Sequence, residues 1–432
     1  MRTICLAGIC AVVSACHSGH GIPERPANVP ERGTGQAFLE DVLDVEPYLP
    51  ADLEELGLGC EIPTQPDSPL YLSSAEVDYA SHGWESRIAS DWDALPGEAD
   101  LGWLTVIDYR REPDGLAYRY LANDETQDRL YEPWSSSKIM AFTAALSQLR
   151  PEGIGADGTV GGVALADLIT GINLYAPFGG AGGDSNAIAT YFLNVATRDY
   201  ATALFHDAWL RLANNEVRFR GAYGSEVFDP QPNAFVSGDG ERRYTPPVAA
   251  AAAEDPGYLP YRCDTCGLDG NKAMTTLAEV EWLKRLAVHD RDPVTRLPNL
   301  ETGDVEATFF GRFHTDERPV GGMLLGISRF LPDAIASSLG KAGGTKAVLD
   351  EATDGRWRVY QKIGWGPSET RGTSEIVIIA HVCLPKVGRE FTLAGRAAVP
   401  GADPNEHGVG DAGRKLSALL ESALPELLGG SL

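Results

Sequence analysis

Basic residues are in short supply. The chain of 432 residues carries 36 Lys and Arg against 61 Asp and Glu, a formal net charge of -25 at pH 7. A phosphate backbone is held by a positively charged face, and that footprint is missing, so no nucleic-acid partner is expected. Long apolar runs are lacking as well: past the first sixteen residues, nothing approaches the ~20 apolar residues of a membrane-spanning helix. Histidines are few and scattered. His206, His289, His314 and His381 show no His-Glu-x-x-His or other paired spacing, and His381 sits in an apolar run that suits a satisfied core residue. The pair Cys263 and Cys266 is a lone Cys-x-x-Cys without a second pair, so a four-cysteine zinc site is not supported. The glycine-rich stretch at 179–183 lacks the Lys-Ser/Thr that completes a phosphate-binding loop. No metal and no cofactor is therefore expected. No repeat period is evident, and with 43% hydrophobic and 22% charged residues the composition suits one large or two modest globular domains with a real core.

The first sixteen residues, MRTICLAGICAVVSAC, place Arg2 before an apolar run from Ile4 to Val13, which is too short to cross a bilayer and reads as an export signal. Their end, Val13-Ser14-Ala15-Cys16, resembles the lipobox of bacterial lipoproteins, which implies that Cys16 becomes a lipid-bearing first residue. The expectation is a periplasmic or cell-envelope lipoprotein that meets the membrane through Cys16. Residues 17–45 suit a linker, although a short helix can form in FLEDVLDVEPYL; residues 46–100 read as an N-terminal extension of unclear role, and 101–432 as the main domain. Outside the leader remain Cys60, Cys263, Cys266 and Cys383, which an exported chain can oxidise. Either a local Cys263–Cys266 disulfide or two crossed bridges is open, since four cysteines allow three pairings.

From residue 101 the pattern sharpens. LGWLTVIDYR and GLAYRYLAN are β-branched and aromatic runs separated by the turn signature REPDG, which predicts a hairpin. SSSKIMAFTAALSQL then puts Ile139, Phe142, Thr143, Leu146 and Leu149 on one helical face. Further helices are expected over about 150–350, among them TLAEVEWLKRLAVH, where Thr276 and Glu279 match a capping box. Residues 221–271 read as a long loop of the kind that often serves as a lid. Two strands follow, in RWRVYQKIGWG and EIVIIAHVCL, the second continuous enough to be buried on both faces, and RKLSALLESALPELL closes the chain as an amphipathic helix. The expected class is α/β (α+β): an antiparallel sheet built from both ends of the domain, flanked by helices, with an all-helical region inserted.

Ser135 and Lys138 are three residues apart at the start of the helical run, hence neighbours on one face. A serine hydroxyl needs a base to become a nucleophile, and a lysine with a depressed pKa can act as one. A helix start adds free N–H groups where an oxyanion develops. Three serines are also good helix caps, so the motif gains weight only from two distant partners. One is Asp184-Ser185-Asn186 opening a helix after the glycine-rich loop; the other is Lys362-Ile363-Gly364, placed at a strand end.

With these three motifs in this order, the chain resembles the serine β-lactamase and penicillin-binding protein (DD-peptidase) superfamily, and within it class A β-lactamase-like domains. The resemblance runs from about Gly102 to the C-terminal helix. It implies an acyl-serine hydrolase with Ser135 as nucleophile, Lys138 as general base and Asn186 holding the substrate amide. Lys362 would attract a substrate carboxylate and depress the Lys138 pKa. Backbone N–H groups of Ser135 and Trp365 would form the oxyanion hole, and Gly364 would leave room for the acyl group. The expected substrate is a small β-lactam or a peptidoglycan-type amide, acted on by a monomer.

Two departures from the pattern bear on activity. Asp184 stands where the family has a serine that relays a proton, unless Ser185 supplies the hydroxyl in a shifted register. Ile363 replaces a hydroxyl residue, which removes a hydrogen bond to a substrate carboxylate of about 1.5–3 kcal/mol. For deacylation, Asp229 and Asn233 have the spacing of the Glu-x-x-x-Asn loop that activates water in class A enzymes, but Asp-Pro-Gln-Pro-Asn is also good turn chemistry. Trp134 and Trp365 flank the motifs as cleft walls or core. Alternatives to β-lactam hydrolysis are a D-Ala-D-Ala carboxypeptidase or transpeptidase, an esterase, and a binding or scaffold lipoprotein that kept the fold while its chemistry eroded.

Overall fold

The computed structural model describes residues 35–43, 50, 57–221, 223–224, 226–247, 272–311, 322–324, 327–340, 343–368, 371–401 and 408–430. The export signal, Cys16 and the Cys263–Cys266 pair lie outside them. In chain order the elements that position the site are helix α1 (Gly35–Leu43), strands β1 (Leu72–Ser73), β2 (Ser90–Asp91), β3 (Trp103–Glu112) and β4 (Gly115–Ala122), and helices α2 (Lys138–Leu149), α3 (Leu165–Leu174), α4 (Ser185–Ala196) and α5 (Thr276–Ala287). They are followed by strands β5 (Arg358–Ser368), β6 (Thr373–Leu384) and β7 (Arg389–Pro400) and the closing helix α6 (Gly408–Gly429).

The expected hairpin forms as β3–β4, paired from Thr105 with Ala122 to Glu112 with Gly115, and Gly115 at φ 141° supplies the conformation its tight turn needs. The sheet runs β1-β4-β3-β7-β6-β5, with β2 added in parallel to β4. Strands from both ends of the chain thus make one mainly antiparallel sheet with helices packed on it, the β-lactamase/transpeptidase-like arrangement the resemblance implies. The insert, however, is not all-helical: Thr159–Val160, Val163–Ala164, Phe235–Val236 and Arg243–Tyr244 pair as a small second sheet, and Arg218–Phe219 with Lys272–Ala273 as another. One strand, β7, was absent from the sequence expectation of two C-terminal strands. It is the element that joins the halves, pairing with β6 along its length and with β3 from Arg396–Trp103 to Phe391–Asp108. Its run EFTLAGRAAVP, broken by Gly395 and Arg396, carries a weak apolar signal because its neighbours, not its own bulk, cover it.

Period-two alternation sorts the sheet into two cores. On one face Ile376, Ile378 and Ala380 of β6 join Leu104, Val106 and Ile363 under α6, with Phe38 of α1 alongside. On the other, Val377 and Ile379 join Ile107, Tyr109 and Tyr120 against α2 and α5. This alternation fixes the functional geometry: Ile363 belongs to the α6 side, so its neighbour Lys362 faces the helical insert.

Three expectations change. Residues 35–43, assigned to the linker, form α1, with Phe38 buried against Phe330 at 5.9 Å between ring centroids. The extension at 57–100 is part of the sheet through β1 and β2, and a Cys60–Cys383 disulfide fastens it to β6. That pairing is one of the three open to the four cysteines. The capping box at Thr276 is replaced by a cap one residue earlier: Thr275 accepts the Ala278 N–H, and Glu279 turns into the interior. No described helix is long and apolar enough to cross a membrane.

Candidate active site

The sequence Trp134-Ser135-Ser136-Ser137 forms one 3-10 turn that runs into α2, so the helix starts three residues later than Ser135. The turn is entered through Trp134 at φ 48°, an unfavourable conformation for a bulky residue, which the surrounding packing must enforce. Residues i and i+3 eclipse in such a turn, and the Lys138 N–H donates to the Ser135 carbonyl, which sets both side chains on one side.

The three serines divide the work of holding this turn. Ser136 Oγ lies 2.6 Å from Pro133 O and 2.5 Å from buried Glu279, with one proton to share between them; Ser137 meets Trp134 O at 3.1 Å and the Tyr223 hydroxyl at 2.9 Å. Ser135 is left half-buried. Burial pushes the Glu279 carboxyl up to about 8, partly offset by its bonds from Ser136 and Tyr131.

Lys138 is fully buried, and its Nζ donates to Ser185 Oγ at 2.8 Å and to Asn186 Oδ1 at 2.6 Å. Burial first and the Lys272 charge second lower its pKa to about 7, against the opposing charge of Asp184. Asp184 itself is exposed and caps α4, accepting from the N–H groups of Asn186 at 3.0 Å and Ala187 at 2.9 Å. The first of the two registers considered for this motif therefore fails: capping turns Asp184 to solvent, and Ser185 is the hydroxyl that meets the lysine.

Lys362 lies in the middle of β5, not at a strand end, because β5 continues to pair with β6 as far as Ser368–Thr373. It is 2% exposed; its Nζ donates to Ile172 O at 3.2 Å and sits 3.5 Å from the centre of the Tyr175 ring. Burial and the neighbouring Lys138 hold its pKa well below the usual lysine range. Strand β5 is the sheet edge nearest the serine turn. Gln361 N–H donates outward to Met323 O and Ile363 O accepts outward from Tyr175, so by the antiparallel period the Trp365 N–H also points off that edge.

Gly364 is needed for a reason other than the one expected. A Cβ built there would lie 2.3 Å from Ser135 N and 2.8 Å from Trp134 Cβ, so the missing side chain lets the serine turn press against the strand, a demand beyond the room expected for an acyl group. Trp134 closes the same contact over Gly366 and donates to Glu375 at 3.1 Å, which makes it a fastening of the turn; Trp365 meets the Tyr175 ring at 5.5 Å.

The structure does not bring Asp229 to this cluster. It is exposed, accepting from Gln231 at 2.8 Å, while Asn233 is taken by the Tyr191 hydroxyl at 2.6 Å. Asp229 is thus spent on its own turn, and Asn233 fastens the loop to α4. A nearer carboxylate is the exposed Glu226: a Cβ on Gly224 would be 2.7 Å from Glu226 Oε2 and 3.4 Å from the Asn186 amide nitrogen, so both groups lie close to Gly224.

Sequence reasoning missed Tyr175, Tyr223, Lys272, Glu226 and the role of Glu279. Tyr223 and Lys272 meet at 4.4 Å, and Lys272 pairs with Glu132 at 3.2 Å, charges that no local motif announces. Among the described residues no cluster of His, Cys, Asp and Glu is arranged to hold a metal. An acidic depression of about 410 Å³ lined by Asp93, Glu98, Asp124 and Glu426 shares no residue with the cluster.

No family model and no curated protein matches the chain. Solved structures do. A class A β-lactamase from Bacteroides cellulosilyticus is 10% identical over 74% of this chain and 92% of its own, with a TM-score of 0.36. A β-lactamase from Xanthomonas campestris pv. campestris is 14% identical over 76% and 92%, with a TM-score of 0.37. The protein PBP-A is 10% identical over 77% of this chain and 100% of its own, at 0.36. A two-ended antiparallel sheet, a buried central helix following Ser135 and an edge strand carrying Lys362 are the arrangement expected of a β-lactamase/penicillin-binding-protein-like fold.

Proposed function

We propose that the protein is a serine acyl hydrolase that forms an ester between Ser135 and the acyl group of a lactam, a related amide or an ester, and then releases it to water. The observation that carries this reading is the state of Lys138: a buried amine with a pKa near 7, stacked on the same side as Ser135 and aligned by Ser185 and Asn186. In acylation, neutral Lys138 takes the Ser135 proton as Oγ attacks the carbonyl carbon. The N–H groups of Ser135 and Trp365 receive the developing oxyanion. Lys138 then passes the proton through the Ser185 hydroxyl to the leaving oxygen or nitrogen as the acyl bond breaks. Deacylation adds water to the ester and returns the proton to Ser135.

Intact-mass analysis of the purified chain after a fluorophosphonate or a fluorescent penicillin tests the reading. One adduct located on Ser135, lost in Ser135→Ala, is expected. Absence of any adduct with either probe would leave a binding or scaffold protein as the better description. A stable penicillin adduct would favour a penicillin-binding role, and rapid turnover a β-lactamase.

Export to the cell envelope is part of the proposal. It rests on the leader ending in Cys16, and a Cys60–Cys383 disulfide suits an oxidising compartment. Replacing Cys16 by serine should move the protein from the membrane to the soluble fraction; unchanged fractionation would refute the anchor.

A further inference from the structure

We infer that Tyr175 makes this a site for acyl donors whose leaving side carries no carboxylate, because its ring and hydroxyl occupy the place where Lys362 and the β5 edge would receive one. The inference rests on the acyl-serine reading and names the substrate class of that same site.

Tyr175 follows α3 at φ 54°, a conformation that non-glycine residues adopt only when the surroundings hold them there. What it gains is contact with both lysines and with the edge of β5. Its hydroxyl donates to Ile363 O at 2.7 Å on the open edge of β5. Its ring lies 3.5 Å from Lys362 Nζ, 5.0 Å from Lys138 Nζ and 5.5 Å from the Trp365 ring.

A carboxylate needs a solvent-reachable cation and at least one further donor beside it. Lys362 is 2% exposed and already faces the negative π surface of Tyr175 and the carbonyl of Ile172, so a carboxylate would have to displace the ring. At position 363 the second donor is also missing. Ile363 has no hydroxyl, and its side chain is buried in the opposite core beneath α6. The tyrosine and the isoleucine thus act in the same direction from opposite faces of one strand: one covers the cation and the other removes its helper. What remains at this edge is the Tyr175 ring with Trp365 against it, an aromatic surface that suits the neutral leaving group of an ester or amide.

The test compares kcat/KM for phenyl acetate and 3-carboxyphenyl acetate, each divided by its rate of hydroxide hydrolysis to remove leaving-group reactivity. The purified protein should prefer the neutral ester by tenfold or more. Tyr175→Gly, which the positive φ accommodates, should reduce that preference at least tenfold, while Tyr175→Phe, which keeps the ring over Lys362, should retain it. A protein that handles the carboxylate ester as well as the neutral one, or a preference unchanged in Tyr175→Gly, overturns the inference. A binding measurement separates this from failure of the acyl-serine reading. In Ser135→Ala, where no acyl-enzyme forms, benzoate titrated by calorimetry should bind at least tenfold more tightly once Tyr175→Gly is added. Equal affinity with and without the tyrosine overturns the inference whatever the catalytic result.

Discussion

The charge state of Lys138 gives the sharpest quantitative expectation. A lysine with an ordinary pKa of 10.5 is neutral in about 1 molecule in 3,000 at pH 7, whereas one lowered to about 7 is neutral in about half, a gain of roughly a thousandfold in usable base. Acylation of Ser135 should therefore rise with pH and level off above a midpoint near 7. Lys138→Ala should lose on the order of 10²–10⁴ of the rate at the plateau. The causes of the shift can be moved separately. Asp184→Asn keeps the cap on α4, because asparagine caps as well as aspartate, but removes the negative charge that favours the ammonium; the midpoint should move to lower pH. Lys272→Met removes a positive charge and leaves its partner Glu132 uncompensated, so the ammonium gains support and the midpoint should move to higher pH. The assay is the second-order rate of fluorophosphonate labelling from pH 5 to 9, with the label located on Ser135. Two substitutions of opposite charge must displace the profile in opposite directions. Shifts in the same direction, no shift in either, or a rate that falls with rising pH through 7 would refute Lys138 as the base.

Other consequences follow from the packing. Gly364→Ala places a methyl 2.3 Å from Ser135 N; the backbone must shift, and we expect about 1–3 kcal/mol of destabilisation with at least a hundredfold loss of Ser135 labelling, whereas near-normal labelling would show the turn to be adaptable. The Cys60–Cys383 bridge closes a separation of 323 residues, so Cys60→Ser with Cys383→Ser should cost up to about 5 kcal/mol in urea unfolding, and an unchanged midpoint would mean the extension is held by β1 and β2 alone. Glu279 is raised from 4.5 to about 8, so its proton favours the folded state: the contribution is complete below 4.5 and is lost as pH rises through 8. Glu279→Gln keeps an acceptor for Ser136 and Tyr131 without the ionisation, so its stability relative to the unsubstituted protein should improve steadily between pH 5 and 9; a constant difference would count against a protonated carboxyl.

What the sequence disclosed and what it concealed follow the range of the forces involved. The hairpin of β3 and β4 and the buried strand β6 were legible because turn chemistry and β-branched runs act within a few residues. Ser135 and Lys138 were legible because their relation is one turn of backbone. Strand β7 was not: it is stabilised by two neighbours, one nearly 300 positions away in sequence, and its small residues suit being covered from both sides. Asp184 shows the same limit at the site. Read as a pattern, it occupies the place of a catalytic hydroxyl, yet at the start of a helix a carboxylate is most favourably spent on free N–H groups, and that local preference rotates Ser185 inward. The reason for Gly364 was equally hidden, since close approach is a property of two backbones and only one of them is written locally. Tyr175 is the extreme case. It belongs to no motif, follows a helix that carries none, and its place over Lys362 depends on a left-handed residue at the end of α3 meeting the edge of β5. A pattern search finds the groups that perform acyl transfer; the residue that decides which acyl donors reach them is found only by asking what stands over the second lysine.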